Sequence, residues 1–132
     1  MARALPLAPT GIVTSPPYPG LIDYHEQHRY AYELLELEDR REAEIGAATL
    51  GQSRPAVRAY VQAMVEVFEN AADQLPRAAP VVVVVSDSKD LYPEILDRSG
   101  LAVEERRTRH VNRRTGRRAG EFFEDVLVCR TR

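Results

Sequence analysis

The sequence has few of the residues that mark a secreted or membrane protein. Its one cysteine, Cys129, excludes an internal disulfide bond and fits a reducing compartment. Its longest apolar run, the five valines at 81–85, is far shorter than a membrane span, and no apolar stretch of signal-peptide length opens the chain. We therefore expect a cytoplasmic protein with no membrane partner.

Glycine is also missing from the pattern that nucleotide-binding loops use. The seven glycines never fall as Gly-x-Gly after a predicted strand. Repeats and low-complexity tracts are absent as well, apart from the short valine run. The sequence therefore offers no glycine-rich cofactor loop of the usual kind.

The composition is that of an ordinary globular protein, with an uneven distribution of charge. The 132 residues are 44% hydrophobic and 29% charged, which suits a single domain with one core. The net charge is −2, yet residues 98–132 carry ten arginines against five acidic residues, a balance of +5 that leaves −7 elsewhere. This asymmetry indicates a basic surface on an acidic body.

Hydrophobic periodicity predicts strands that alternate with helices, and hence an α/β fold. Two extended segments joined by a turn-prone, arginine-rich stretch predict a hairpin at the end of the chain. The predicted elements are a buried strand at 11–14, a helix at 24–37, a mobile polar connection at 38–54, a helix at 55–75, a buried strand at 81–85, a helix at 91–98 capped by Gly100, and strands at 101–111 and 120–130 around the turn at 112–120.

The stretch Ser15-Pro16-Pro17-Tyr18 follows the first predicted strand, where α/β sheets bind ligands. An aromatic amine is a poor nucleophile because its lone pair is delocalised into the ring. Two acceptors, Ser15 Oγ and the Pro16 carbonyl, could bind both amino protons and direct the lone pair outward. The proline pair has no N–H donors, so we expect its carbonyls to stay free for a ligand. Tyr18 offers a ring on which an extruded base could stack.

Thr14-Ser15-Pro16-Pro17-Tyr18, followed by Pro19-Gly-Leu-Ile-Asp23-Tyr24, resembles the catalytic motif of amino-type DNA methyltransferases. The Ser-Pro-Pro-Tyr form is typical of the cytosine-N4 branch. Adenine-N6 enzymes usually carry Asp-Pro-Pro-Tyr, and relatives that methylate glutamine usually carry Asn-Pro-Pro-Tyr. By this resemblance the catalytic residues are Ser15, Pro16, Pro17 and Tyr18, with Ser15 and Pro16 holding the target amino group and Tyr18 stacking on the base.

The resemblance also implies the fold, the cofactor and the partner. The segment at 111–128 is similar to the end of the family's catalytic domain, so residues 1–132 would form a single partial domain. That domain is the C-terminal half of a Rossmann-like sheet that uses S-adenosylmethionine and ends in an antiparallel hairpin. We expect the cofactor half to lie upstream of residue 11, with DNA as the substrate, in the manner of restriction-modification enzymes.

Three alternatives to this interpretation stay open. The pocket rather than Ser15 alone decides the base, so adenine-N6 methylation is a candidate. Activity of this chain alone is doubtful, because the cofactor loop is missing; a partner half or self-association is expected instead. A function in a different class is a non-catalytic DNA-binding remnant, retained for its basic hairpin.

Further candidate residues follow from the same interpretation. Asp23, Tyr24 and Asp87 are candidates for the base pocket, although Asp87 could equally cap a helix and Tyr24 could be core. His25 and His28 lack further ligands, so we expect a packed helix face and no metal site. Cys129 lacks the sequence context of a cytosine-C5 nucleophile. The candidate DNA-binding residues are Arg109, Arg113, Arg114, Arg117 and Arg118, in a cluster that also includes Arg106 and Arg107.

Overall fold

The computed structural model describes residues 8–20, 22–111 and 121–132, and within these ranges it contains four strands and four α-helices. Two single-turn 3-10 helices, Arg41–Ala43 and Ala48–Leu50, lie between the second and third α-helices. In chain order the elements are β1 (Ile12–Thr14), α1 (Tyr24–Gln27), α2 (Arg29–Leu34), α3 (Arg54–Ala72), β2 (Pro80–Val85), α4 (Tyr92–Arg98), β3 (Leu101–His110) and β4 (Phe123–Thr131).

The chain divides into two compact units. The first, which we call the sheet unit, comprises Met1–Pro16 and Val65–Arg132 and contains all four strands. The second, the insert unit, is Pro17–Met64 and contains α1, α2 and the first part of α3. The predicted motif at Ser15-Pro16-Pro17-Tyr18 therefore lies at the junction, with two residues in each unit.

The strands of the sheet unit form one mixed sheet in the order β1-β2-β4-β3. β1 pairs with β2 in parallel, and β4 is antiparallel to both β2 and β3. The expected α/β class and the closing hairpin, with one strand opposed to the others, are thus confirmed. The turn at 112–120 that joins the hairpin strands lies outside the described residues.

On one face of the sheet, side chains of β2 and β4 are buried and form the core of the sheet unit. Side chains alternate along a strand, so Val81, Val83 and Val85 share this face with Leu127 and Cys129 of β4. The remaining buried apolar residues of the unit lie mainly on its helices, and include Val65, Phe68, Tyr92, Ile95 and Leu96. The ring of Phe68 meets that of Tyr92 edge-on, with centroids 6.4 Å apart.

Three sequence predictions need correction. β1 is not buried: Val13 is 81% exposed, because none of the described elements lies over its side chain, and β1 is also an edge strand of the described sheet. The helix predicted at 24–37 is two short helices that break at His28, whose backbone (φ −106°, ψ 14°) is not helical. The connection at 38–54 contains the two 3-10 turns, and Ala47 within it is buried.

Among the described residues, no helix is long and apolar enough to cross a membrane.

The free edge of β1 generates a prediction about association. An unpaired apolar edge strand is a template for pairing with another chain, and a lysine on such a strand opposes that pairing. We expect the isolated protein to self-associate and the Val13→Lys variant to do so much less, as measured by sedimentation velocity over a concentration series. Val67→Lys, on an exposed position of α3, is the control and should behave like the wild type. A monodisperse wild-type monomer would contradict the prediction.

Candidate active site

Ser15 lies at the carboxyl edge of the sheet, next to the loop that follows β2. Thr14, the last residue of β1, is in register with Val83, so these parallel strands end at the same edge. Ser15 is exposed and Pro16 is buried, and the loop after β2 begins with the half-buried residues Ser86 and Asp87. The structure therefore brings two of the predicted positions, Ser15 and Asp87, to one edge of the sheet unit.

Asp87 binds the start of α4. Its Oδ1 accepts a hydrogen bond from the Leu91 amide at 2.8 Å, and its Oδ2 accepts one from the Tyr92 amide at 2.9 Å. These amides are among those that a helix leaves without partners at its start, so the carboxylate stabilises both the helix and the loop. Asp87 thus binds amides at the start of α4, although the N-cap residue itself is Leu91, and contact between Asp87 and a base stays a prediction.

An ion pair between the buried Asp125 and the partly exposed Arg106 connects this loop to the hairpin. Asp125, only 7% exposed, is in register with Val85 at the end of β2. Its carboxylate accepts hydrogen bonds from Arg106 Nη2 at 2.7 Å and from Thr108 Oγ1 at 2.6 Å. Arg106 also donates from Nη1 to Asp90 of the loop at 2.9 Å. Arg106 of β3 therefore links the loop after β2, which lies beside Ser15, to Asp125 of β4.

Each member of this ion pair stabilises the charged form of the other. Burial alone would raise the pKa of Asp125, but the hydrogen bonds from Arg106 and Thr108 hold it below its ordinary value of 3.8. The hydrogen bonds to Asp125 and Asp90 in turn raise the pKa of Arg106. Sequence analysis missed this contact. The signal that could have revealed it is Asp125 itself, a charged residue at a position of β4 that alternates with buried apolar residues.

In the insert unit, Pro17 shortly precedes a turn at Pro19 and Gly20. The hydroxyl of Tyr60 donates to the Pro17 carbonyl at 2.8 Å, so the expectation that both proline carbonyls stay free is wrong for Pro17. The Gly20 amide donates to the Gly46 carbonyl at 2.8 Å. Gly46 has a φ of +74°, and a Cβ there would lie 2.8 Å from the Tyr60 ring, so this position requires glycine. Tyr18 is half-buried.

Asp23 and Tyr24 are anchored by the segment that was predicted to be mobile. Asp23 Oδ1 accepts hydrogen bonds from the amide and hydroxyl of Thr49 at 3.1 and 3.3 Å. Glu44 accepts from the amides of Tyr24 and His25 at 2.6 and 3.1 Å, and so caps α1. Because Glu44 lies about twenty residues away in the chain, no local pattern could have predicted this cap.

His25 is a packed residue, as expected. It is 7% exposed, and its ring lies against that of Tyr32 with centroids 4.1 Å apart. Its Nε2 accepts from the Arg40 amide at 3.3 Å and lies 3.2 Å from Asp39 Oδ1. Within the described ranges, no three or more His, Cys, Asp or Glu side chains group as metal ligands would.

A cavity of about 290 Å³ opens beside these residues in the insert unit. Its lining is mixed in charge and includes Asp23, His25, Arg41, Glu44 and Thr49. Of the predicted base-pocket residues Asp23 lines it, but the carboxylates of Asp23 and Glu44 already accept backbone hydrogen bonds. The cavity therefore offers few polar groups without internal partners to a ligand.

Cys129 has the character of a buried apolar residue. It is fully buried in β4, and burial, together with the nearby charge of Glu104, raises its pKa to about 11. A thiol with so high a pKa is almost entirely protonated at neutral pH, and the thiolate is the nucleophilic form. The structure therefore supports the expectation that Cys129 is not a nucleophile.

The described arginines of the hairpin are paired with acidic residues. Arg109 makes two contacts to Glu124 Oε2, at 2.6 and 3.0 Å, and Arg107 donates to Glu105 at 2.6 Å. Binding of Arg109 to a phosphate would therefore compete with an existing ion pair. The other four candidate DNA-binding residues, Arg113, Arg114, Arg117 and Arg118, lie outside the described residues.

Comparison with known proteins finds a similar sequence in a methyltransferase. The chain is 42% identical, over 117 residues, to the type II methyltransferase M.MjaII of Methanocaldococcus jannaschii. The chain is homologous to part of that methyltransferase. The match covers 89% of this chain but only 22% of M.MjaII, so the chain spans about a fifth of its relative's length. No protein-family model matches the chain.

A solved structure shows a weaker likeness. TTHA0409 of Thermus thermophilus, provisionally described as a DNA modification methylase, superposes with a TM-score of 0.47 at 17% identity. The superposition covers 94% of this chain and 45% of that protein. A likeness at this level does not establish a common fold, and the relationship to M.MjaII rests on sequence identity.

The Asp125 ion pair generates a prediction about acid stability. Because the pKa of Asp125 is lowered by folding, its stabilisation is fully present above the ordinary aspartate pKa and is lost as the pH falls through the lowered value. We expect Asp125→Asn to lower the free energy of unfolding by about 1–3 kcal/mol at neutral pH. The difference from the wild type should shrink in acid, below the ordinary value of 3.8. Urea unfolding across a pH series measures both effects.

Asp90→Asn provides the matched control, because Asp90 contacts the same arginine from an exposed position. Exposed ion pairs contribute little, so this variant should lose much less stability. Equal destabilisation by the two substitutions, or a constant difference between Asp125→Asn and the wild type down to low pH, would show that the buried contact does not stabilise the fold.

Proposed function

We propose that this chain carries the catalytic segment of a DNA methyltransferase that modifies an exocyclic amino group, most specifically the N4 amino group of cytosine. The identity with M.MjaII over 117 residues is the observation that supports it most strongly. The position of Ser15 at the carboxyl edge of a parallel strand pair supports it further, since ligands of α/β sheets bind at that edge.

The chemistry assigned to the motif is the orientation of a weak nucleophile. Ser15 Oγ and the Pro16 carbonyl accept hydrogen bonds from the two amino protons of the base, which favours a nitrogen lone pair directed at the incoming methyl group. Acceptors that are fixed before the reaction lose little free energy to reorganisation. The hydrogen bond from Tyr60 to Pro17 contributes here, because it fixes the backbone immediately after Pro16.

Tyr18 stacks on the target base, which must leave the duplex to reach the site. Asp87, already fixed by the α4 amides, lies at the edge where Ser15 is found and is the candidate for contact with the rim of the base. Asp23 and Tyr24 are the corresponding candidates from the insert unit. We propose cytosine rather than adenine as the target base because the motif begins with serine. Transfer to the N6 amino group of adenine is the alternative within this class.

S-adenosylmethionine is the methyl donor that this function implies, and the described residues contain no glycine-rich loop after a strand of the kind that would hold it. None of the described glycines lies in a loop directly after a strand with a second glycine two positions on. Gly11 precedes β1, and a Cβ there would lie 2.9 Å from the Pro80 carbonyl, so its role is close packing of strands. This observation supports the proposal that other residues of the enzyme supply most of the donor site.

The first test replaces the motif residues in an enzyme reconstituted with its donor-binding part. Ser15→Ala and Tyr18→Ala should each lower methyl transfer by about tenfold or more, roughly the effect of removing one hydrogen bond or one stacked ring. The measurement is incorporation of labelled methyl groups into DNA. Ser88→Ala and Tyr30→Ala, at exposed positions, are the matched controls. Near-normal activity of both motif variants would refute the catalytic assignment.

The second test concerns DNA binding by the basic hairpin. Replacing Arg113, Arg114, Arg117 and Arg118 with alanine should weaken binding and flatten its dependence on salt, by about 0.9 in logarithmic slope for each phosphate that is no longer neutralised. Fluorescence anisotropy over a salt series measures the slope. A control variant with alanine at the exposed positions Arg29, Arg54, Arg58 and Arg77 removes the same charge elsewhere. Equal slopes for the two variants would mean that the hairpin makes no particular contribution.

A further inference from the structure

The loop between β2 and α4 contains a residue with a strained backbone. Asp90 has a φ of +53°, in the left-handed region that residues other than glycine seldom adopt. Its amide donates a hydrogen bond to the Asp87 carbonyl at 3.2 Å, so the strained residue closes a turn that begins at Asp87. Strain of this kind costs free energy and persists only where surrounding contacts hold it.

The contact that holds Asp90 comes from β3. Arg106 Nη1 donates to Asp90 Oδ1 at 2.9 Å, while Nη2 of the same guanidinium donates to Asp125 Oδ2 at 2.7 Å. Asp125 is buried in the sheet, whereas Asp90 is exposed in the loop. Arginine can bind both carboxylates at once because its planar guanidinium presents several donors in a fixed geometry.

A β-bulge in β3 directs Arg106 to this position. From Glu105 onward the pairing of β3 with β4 is shifted by one residue, which leaves Glu104 as the extra residue. The shift puts Arg106 opposite Leu127, on the sheet face that also carries Asp125. In the unshifted register Glu105 would lie opposite Leu127, and a carboxylate would then be the neighbour of Asp125. Bulges of this kind often redirect a side chain beside a functional site.

The turn that Arg106 holds carries one of the groups of the candidate site. Asp87 is the candidate for contact with the rim of the base, and its loop shares an edge of the sheet with Ser15. Because Asp87 and Asp90 are joined by a backbone hydrogen bond, a displacement of Asp90 displaces Asp87 as well. Polar groups stabilise a reaction best when they are held in place before it begins.

We propose that Arg106 is a positioning residue for methyl transfer, which holds the turn from Asp87 to Asp90 against the edge of the sheet where Ser15 lies. This inference rests on the proposed function. Both terminal nitrogens of Arg106 already bind carboxylates, so a DNA phosphate would have to displace one of them. Arg106 therefore acts through the loop and not through contact with DNA.

The first measurement is amide hydrogen exchange in the complete chain. The Leu91 and Tyr92 amides report on the loop, because they donate to Asp87. Arg106→Met and Asp90→Gly should each raise their exchange rates by about tenfold, the effect of losing one charge-assisted hydrogen bond. Arg106→Met also leaves the buried Asp125 without this partner and lowers stability. Asp90→Gly removes only the exposed carboxylate, and glycine adopts a positive φ without strain.

The second measurement is methyl transfer by an enzyme reconstituted with its donor-binding part. Arg106→Met and Asp90→Gly should lower kcat by at least about fivefold, because small displacements of a positioned group slow a reaction. KM for DNA should stay within about twofold and its salt dependence should not change, since phosphate contacts dominate DNA affinity. Arg106→Lys, which keeps the charge but not the planar fork, should recover part of kcat.

Arg132→Met is the matched control. Arg132 is an exposed arginine that pairs with Asp97 of α4, at the opposite end of the sheet from the loop. Its replacement should change neither the exchange of the Leu91 and Tyr92 amides nor kcat.

Four outcomes would decide against these inferences. Unchanged exchange in both Arg106→Met and Asp90→Gly would show that Arg106 does not hold the loop. An equal loss of kcat in Arg132→Met would assign the effect to general stability. A raised KM for DNA with an unchanged kcat would make Arg106 a DNA contact. A wild-type reconstituted enzyme that transfers no methyl group would contradict the proposed function, and hydrogen exchange would then decide by itself whether Arg106 holds the loop.

Discussion

The parallel pairing of β1 with β2 is the constraint on which the candidate site depends. It places the end of β1 beside the end of β2, so that Ser15 and the loop of Asp87 share one edge of the sheet. The two strands are far apart in the chain, since β1 has three residues and β2 follows it about seventy residues later. Their pairing is therefore what brings the two loops together. The intervening insert unit and α3 are what bring the chain back to the same sheet in the same direction.

The hairpin of β3 and β4 also contributes residues to that edge of the sheet. β4 lies next to β2 and places Asp125 beside Val85, where the carboxylate meets Arg106 from β3. Arg106 reaches in turn to Asp90 of the loop after β2, and Asp87 holds the start of α4. The strand pairing, the ion pair and the hydrogen bonds to α4 thus all hold the short loop after β2 in place.

The same architecture leaves part of the sheet without cover from the described residues. The core side chains of β2 and β4 are almost completely buried, whereas Val13 and the edge of β1 are not covered by the described residues. A free edge and an uncovered apolar face both favour association with another polypeptide, since each removes apolar surface or unpaired backbone groups from water. The match covers 22% of M.MjaII, so that relative is between four and five times as long as the matched segment.

The sequence alone determined the order of elements and the position of the motif. Alternation of valines, the proline run and the three- and four-residue steps of α3 are local patterns, so the bounds of β2, α3, α4 and β3 were predictable to within a few residues. The resemblance at Ser15 to Tyr18 was equally local, and M.MjaII supports the methyltransferase relationship it implied.

Only the tertiary structure decided which of these residues have partners. The cap of α1 by Glu44, the hydrogen bond of Tyr60 to Pro17 and the contact of Arg106 with Asp125 join residues 19 to 43 positions apart. The break at His28 likewise has no helix-breaking residue to announce it. The exposure of Val13 is decided in the same way, because an apolar side chain is buried only where another element lies over it, and sequence periodicity does not say whether that element belongs to the same chain.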